Sequence, residues 1–341
     1  MNSHKPPPEA GDDSKKEFAR FLAMVSQVFP LWLVVLIAIC SGLLLPVLAK
    51  IKAKSDSDQS VVVYTSQDQV YAEPILKEFE QQTGIKVRAV YDSEAVKTVG
   101  LANRLLAERE HPQCDVFWNN EAFRTYQLAA TGVFRGTNGV AEFGYRSRRI
   151  VVNPDKVSLA EAPRALTELT NATWRGKVAL AYPLFGTTAT YFIALRQYWG
   201  DERWQTWCRA LSANRPFLVD GNSVVAKLVG KGEAWIGLTD SDDIAAEHRN
   251  GTPVAASPLS EDSLLIPNTV AVIRGARHPE AAQKLFDYLQ EPAVVQRLVA
   301  VNALEGVTIQ SVAVATLKPD WEKLVGDLDE ATAALKEIFL R

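Results

Sequence analysis

The chain has 341 residues, 47% of them hydrophobic and 23% charged, with a formal net charge of −3. That length and balance fit a soluble body of about two domains with a real core. They exclude the strongly basic surface that marks a nucleic-acid binder.

A polar leader opens the chain and passes, within residues 1–29, into an apolar run. Phe21 to Ala49 carries no charge, and its core, residues 30–49, has the roughly 20 apolar residues a membrane-crossing helix needs. Lys15, Lys16 and Arg20 precede the run and Lys50, Lys52 and Lys54 follow it, so flanking charge does not set orientation. A short polar leader before one apolar span resembles an export signal, which places the rest outside the cytoplasm. Val47-Leu48-Ala49 fits a small-residue cleavage site; uncut, the segment is an inner-membrane anchor. Residues 50–60 form a polar linker.

Beyond it, strands and helices alternate. Residues 61–64, three β-branched valines and a tyrosine, read as a buried strand, followed by a helix over 71–83 that Gly84 closes. A second strand is expected at 85–91 and a second helix at 95–110. A third strand follows at 115–118, and a third helix at 121–131. This rhythm predicts a mostly parallel sheet with helices on both faces. Ligands bind such sheets beyond the carboxyl ends of the strands, which nominates the loops at 65–68, 92–94 and 119–121. Extended segments at 148–153 and 264–273 break the rhythm. Between them come strands at 177–182, 216–219 and 235–238, with helices running to Trp199, over 222–230 and to His248. Another helix runs from His278-Pro279 to Glu291, and residues 317–341 form a helical tail. The expected architecture is α/β and two-lobed, with lobes at 61–147 plus 268–316 and at 148–267. The cleft between them is the expected binding site. Cys114 opens an apolar strand and Cys208 lies in a helical pattern, so both read as buried thiols.

Several loops carry polar groups suited to a ligand. Phe185-Gly186-Thr187-Thr188 enters a helix, where free N–H groups, hydroxyls and the helix dipole suit an anion as well as they suit plain capping. Asp220-Gly221-Asn222-Ser223 starts the next helix similarly. Leu238-Thr239-Asp240-Ser241-Asp242-Asp243 sets three carboxylates at a strand end, which suits a cation or a hydroxyl-rich ligand. Capping by the helix dipole accounts for one or two of those acids. Asp68 and Asn119-Asn120-Glu121 lie on the facing rim. Tyr64, Tyr71, Tyr91 and Trp118 suit either a cleft wall or a core, and the histidines form no metal pair. No Gly-x-Ser-x-Gly, Cys-x-x-Cys or His-Glu-x-x-His is present. Asp240-Ser-Asp242 after a strand resembles the nucleophile motif of haloacid-dehalogenase-type phosphatases, which makes an exported phosphatase-like enzyme the alternative. That family's late acidic pair would fall on Asp327 and Asp329, in a helical tail.

Ordered blocks from Val61 to about Val301 carry a second resemblance. They are Val61-Val-Val-Tyr-Thr-Ser-Gln-Asp68, Phe79-Glu-Gln-Gln-Thr-Gly-Ile-Lys-Val87, Asn103-Arg-Leu-Leu-Ala-Glu108 and Asp115-Val-Phe-Trp118. Pro183 to Thr190, Gly221-Asn-Ser-Val-Val225, and Ile266-Pro-Asn-Thr-Val-Ala-Val-Ile273 followed by His278-Pro-Glu-Ala-Ala282 continue the series. In that order they resemble the type II solute-binding proteins of ABC importers, closest to the ferric-ion-binding group. The resemblance implies two lobes closing over a ligand, a permease and an ATPase as partners, a periplasmic location and a monomer without catalytic residues. It implies an anion site at Gly186, Thr187 and Asn222, with Tyr64, Ser66, Asp68, Asn119, Asn120 and Thr188 beside it. It also implies Fe(III) held with an anion, for which Asp68, Glu121, Asp240 and Asp242 are the candidate ligands. The paired tyrosines of iron binders are replaced by Ser241 and Asp242, and the first-loop histidine of some members by Asp68. The residues themselves fit an aminophosphonate-like zwitterion equally well, its ammonium on the acids and its anion at residues 186–188.

Overall fold

In the computed structural model, residues 60–91, 97–136 and 139–340 are described, with residues 16, 17, 19, 20 and 23 of the leader. The apolar run at 30–49, the linker up to residue 59 and the loop at 92–94 lie outside the described residues. Among those described, no helix is long and apolar enough to cross a membrane. Residues 58–341 form one compact unit, which is described below.

The unit begins as the β-branched pattern predicts. Strand β1 (Ser60–Thr65) leads into helix α1 (Gln69–Thr83), which ends where Gly84 takes a left-handed φ of 73°. Strand β2 (Lys86–Tyr91), helix α2 (Lys97–Ala107), strand β3 (Val116–Asn119) and helix α3 (Ala122–Ala130) complete the first half. Strand β4 (Val140–Val152) carries the chain into a second half. That half comprises β5 (Val178–Ala181), helices α4 (Gly186–Trp199) and α5 (Asp201–Ala213), β6 (Phe217–Val219), helix α6 (Asn222–Gly230), β7 (Ile236–Asp240), helix α7 (Ser241–Arg249) and β8 (Ala255–Ala256). Strand β9 (Leu265–Val272) returns to the first half, followed by helices α8 (Pro279–Leu289), α9 (Pro292–Ala300) and α10 (Trp321–Phe339).

The strand order is β2-β1-β3-β9-β4-β7-β5-β6, with β8 on β4. β1 runs parallel to β2 and β3, and β5 parallel to β6 and β7, as alternation with helices requires. β4 and β9 are antiparallel to their neighbours. β4 pairs with β9 from Val140 through Ser147 and with β7 from Arg148 onward, so one continuous strand serves both halves. The extended segment expected to begin at Arg148 therefore begins at Val140. Glu142 and Arg146 interrupt its hydrophobic pattern and hide its first part. Helix α9 is also additional to the strand–helix reading, and α5 gives bounds to the helical pattern around Cys208.

Each half has its own core. Val61, Val63, Phe79, Trp118 and Leu285 pack in the first. Phe192, Trp204, Trp207 and Leu238 pack in the second, joined there by Leu324, Leu335, Ile338 and Phe339 of α10. The C-terminal tail is thus structural: Phe339 meets Phe192 edge-on, with ring centroids 5.9 Å apart. At its other end Trp321 stacks on Tyr126 of α3 at 5.6 Å, so α10 touches both halves. Cys114 and Cys208 are buried free thiols, as their patterns suggest. Asp115 ties the first half together, accepting the backbone N–H of Val62 at 2.8 Å and of His278 at 3.0 Å.

Candidate functional site

The loops at the ends of β1, β3, β5 and β7 meet around a cleft of about 640 Å³, counting its solvent-open mouth. Asp68 and Asn120 line it from the first half. Gly186, Thr187, Thr188, Asn222, Asp240 and Asp242 line it from the second. Sequence reasoning nominated all eight. Helices α4, α6 and α7 start here, and their N-cap residues Phe185, Gly221 and Asp240 make no side-chain cap. Residues of all three first turns line the one cavity, and the unpaired N–H groups of helix starts favour negative charge. Gly186 turns into α4 with a φ of 54°, a left-handed conformation that glycine adopts without cost.

Four nominated residues do not line the cleft. Tyr64 donates its hydroxyl to Glu108 at 2.9 Å, with Arg104 stacked over its ring at 4.5 Å. Burial, then Glu108, pushes that phenol's pKa up. Ser66 is a support: its Oγ accepts the backbone N–H of Asn120 at 2.9 Å. Asn119 is buried and donates to Thr125 Oγ1 at 3.0 Å. Glu121, proposed as a metal ligand, instead caps α3 by accepting the N–H groups of Phe123 at 2.8 Å and Arg124 at 2.9 Å. It also accepts Thr190 Oγ1 from α4 at 2.9 Å, across the two halves. Burial raises its carboxyl pKa.

Two residues that the sequence reading passed over decide the electrostatics. Arg148, with a side chain 0% exposed, donates Nη1 to Asp240 Oδ1 and to Asn222 Oδ1, both at 2.8 Å. Its Nη2 reaches Thr188 Oγ1 at 3.3 Å and the Leu238 carbonyl at 3.2 Å. Arg146 donates Nη1 to both oxygens of Asp242 at 2.9 and 2.8 Å, and Nη2 to the Asn120 carbonyl at 2.7 Å. Thr187 donates to Asp240 Oδ2 at 2.8 Å. The acids proposed to await an ammonium or a metal are therefore held by the chain's own guanidinium groups. Arg146 and Arg148 sit two apart on β4 and project from the same face of the sheet.

Asp240, Asp242 and Asp243 offer carboxylate oxygens within 4.8 Å of one another. Burial would raise all three pKa values. At Asp240 the adjacent Arg148 and Arg146 overcome burial and hold the carboxyl below its usual range. At Asp242 burial prevails over Arg146, with Asp240 nearby adding to it, and the pKa rises to about 6. Asp243 is raised further by burial and by its two acidic neighbours, and it accepts Thr239 Oγ1 at 3.1 Å. With Asp240 and Asp242 paired to arginines and burial disfavouring the charge on Asp243, the cluster's negative charge is largely offset. The donors of three helix starts then dominate the cavity.

A family model described as bacterial extracellular solute-binding protein matches residues 60–300. An uncharacterized protein of Haemophilus influenzae is 22% identical over 266 residues, 70% of this chain and 75% of its own length. The Fe(3+)-binding periplasmic protein of Serratia marcescens is 28% identical over 202 residues, 54% of this chain and 57% of its own. Iron-bound HitA from Pseudomonas aeruginosa superposes with a TM-score of 0.71 at 20% identity, covering 82% of this chain and 99% of HitA. The periplasmic binding protein AfuA from Actinobacillus pleuropneumoniae, solved with exogenous fructose-6-phosphate bound, gives a TM-score of 0.71 at 18% identity, covering 82% and 98%. By its sequence the chain belongs to the bacterial extracellular solute-binding protein family, and its fold is the two-lobed type II periplasmic binding protein fold.

Proposed function

We propose that this chain is the capture subunit of an ABC-type importer and that its ligand is a small anionic solute bearing a phosphate, phosphonate or carboxylate group. The convergence of three uncapped helix starts on one cleft carries this reading, because fixed N–H groups bind oxyanions without a counter-cation. Gly186, Thr187, Thr188 and Asn222 hold the anion, and Asp68 and Asn120 contact the rest of the solute from the facing rim. Ser66 and Asn119 position Asn120. The fold shared with the fructose-6-phosphate-bound AfuA is consistent with this ligand class. The lobes are residues 61–147 plus 268–316 and residues 148–267. They close about β4 and β9, the closed form being favoured because the solute touches both. Residues 30–49 place the protein outside the cytoplasm, cleaved or anchored beside a permease and its ATPase, and it acts as a monomer without chemistry of its own.

Fe(III) with a synergistic anion is the competing ligand, favoured by the Serratia relative and by the fold of iron-bound HitA. Its donors are poorly placed here, since Glu121 caps a helix and Asp240 and Asp242 are ion-paired. The phosphatase alternative finds no geometric support, because Asp240 is locked to Arg148 and Asp327 and Asp329 lie on α10. Thermal unfolding of the full chain with hexose phosphate, inorganic phosphate, aminoethylphosphonate, citrate or Fe(III)-carbonate separates these readings. A ligand at 100 times its dissociation constant adds about 2.7 kcal/mol, a rise of about 5–11 °C at this size. Stabilisation by Fe(III)-carbonate and by none of the anionic solutes overturns the proposal. Turnover of p-nitrophenyl phosphate that Asp240→Asn abolishes would establish the enzyme instead.

A further inference from the structure

We propose that Arg146 is a built-in counter-cation that sets the ligand specificity of the cleft, its guanidinium filling the place between the lobes where a hard metal ion would otherwise sit. The inference rests on the cleft being the binding site, and it names the residue that decides which charge the site accepts. Arg146 lies on β4 opposite Ile266, two residues before Arg148 pairs with Asp240 on β7. It therefore stands where the strand leaves one half for the other. Its side chain is 5% exposed, and its Nη1 reaches Asp242 Oδ2 at 2.8 Å and Asp240 Oδ2 at 3.3 Å. Nη2 holds the Asn120 carbonyl, from the opposite wall, at 2.7 Å. These partners are oxygens of the kind that bind a hard cation: two carboxylates and a backbone carbonyl, with Asp243 beside them. The guanidinium already satisfies them.

The geometry also explains why a metal does not displace it. Arg148 is committed to Asp240 Oδ1, Asn222 and Leu238, so Arg146 is the cation that serves Asp242. A metal ion at Asp242 would lie against a second full positive charge that no accessible pH removes. The guanidinium is itself anchored by Asp242, Asp240 and the Asn120 carbonyl, so a metal ion would have to break these contacts to take its place. The same residue thus neutralises the acids, keeps the cavity receptive to an anion, and links Asn120 to Asp242 across the cleft.

The test uses Tb³⁺, a hard trivalent ion with oxygen ligands, read by equilibrium dialysis on the full-length protein. Wild type is expected to take up no Tb³⁺ that Asp242→Asn removes. Arg146→Met is expected to bind one Tb³⁺ per chain at least 100-fold more tightly than wild type, and to lose it again when Asp242→Asn is added. Arg146→Lys, which keeps the charge, is expected to exclude Tb³⁺ as wild type does. If Arg146→Met does not melt cooperatively, Arg146→Gln, neutral and able to hydrogen-bond Asp242, replaces it with the same expectation. Wild-type Tb³⁺ uptake that Asp242→Asn abolishes overturns the proposal. So does a cooperatively folded neutral variant with no gain. Hexose phosphate binding is measured on the same wild-type sample. If it is absent while Tb³⁺ remains excluded, the anionic-solute reading fails and the role of Arg146 stands.

Discussion

Replacing Asp240 with Asn tests the assignment of charge in the cleft most directly. The Asp240 carboxylate is 2% exposed and accepts from Arg148 at 2.8 Å through Oδ1 and from Thr187 at 2.8 Å through Oδ2. Asn keeps the shape and one acceptor, but its amide turns two donors toward a site already filled with donors. The Arg148 guanidinium, fully buried, is then left without its carboxylate. Breaking one side of a buried ion pair costs about 3–5 kcal/mol. At about 2–4 °C per kcal/mol for a unit of this size, the melting temperature should fall by about 6–20 °C. Asp243→Asn is the matched control, since the same change one turn away removes a carboxyl that no arginine among the described residues pairs with and whose charge burial and two acidic neighbours disfavour. It should not lower stability at pH 7, because a neutral amide replaces a carboxyl whose charge is disfavoured there. Urea unfolding of both variants at pH 7 reads the contrast. If Asp240→Asn stays within about 1 kcal/mol of wild type, the ion pair does not organise the cleft and the electrostatic argument fails.

Three further outcomes follow from the same geometry. The folded pKa of Asp243 lies above the unfolded value of about 3.9, so the native state holds the proton longer and wild-type stability drops as pH rises above that point. Asp243→Asn removes this loss: it should match wild type near pH 4 and exceed it at pH 7, and urea titrations showing the opposite trend would contradict the assignment. Gly186→Val forces a branched residue into a φ of 54°, so it should weaken binding of the anionic solute at least tenfold in calorimetry while leaving the remote core intact. Truncation after Pro319 removes Leu324, Leu335, Ile338 and Phe339 from the second core. At about 1.5–3 kcal/mol each the loss is about 6–12 kcal/mol, comparable with a whole domain's stability of about 5–15 kcal/mol. Circular dichroism should show no cooperative melt for the shortened chain.

The parts of this molecule that were legible in its sequence are those where one physical signal acted alone. β1 and α1 announced themselves through Val61-Val62-Val63 and the Gly84 stop. The cleft loops did so through strand–helix alternation, which fixes where carboxyl ends gather. Signals that two functions share were misread. Glu121 carries both a capping pattern and an acid at a rim, and its backbone contacts show that capping prevailed. Asp240 occupies an N-cap position yet does not cap, because Arg148 competes for its carboxylate. The arginines themselves escaped notice since a charge in an extended segment reads as solvated edge. Only the pairing of β4 with two different partners reveals that Arg146 and Arg148 are interior.

That double pairing has a mechanical consequence. Polar contacts link the halves at the cleft, among them these three: Arg146 to Asp242, Thr190 to Glu121, and Arg249 to the Tyr71 hydroxyl. Each contributes a net of about 0.5–1.5 kcal/mol, so together they favour closure by about 1.5–4.5 kcal/mol before any solute arrives. Every 1.4 kcal/mol is a tenfold population ratio, so the ligand-free protein should be mostly closed. A solute then needs only a small differential affinity to complete the shift. Thr190→Val combined with Arg249→Ala removes two of the three contacts, both remote from residues 186–188. The double variant should show a larger radius of gyration in small-angle scattering without solute, and return to the wild-type value when hexose phosphate saturates it. An unchanged ligand-free radius would mean that these contacts do not hold the lobes. Closure would then fall to the continuous strands β4 and β9 instead.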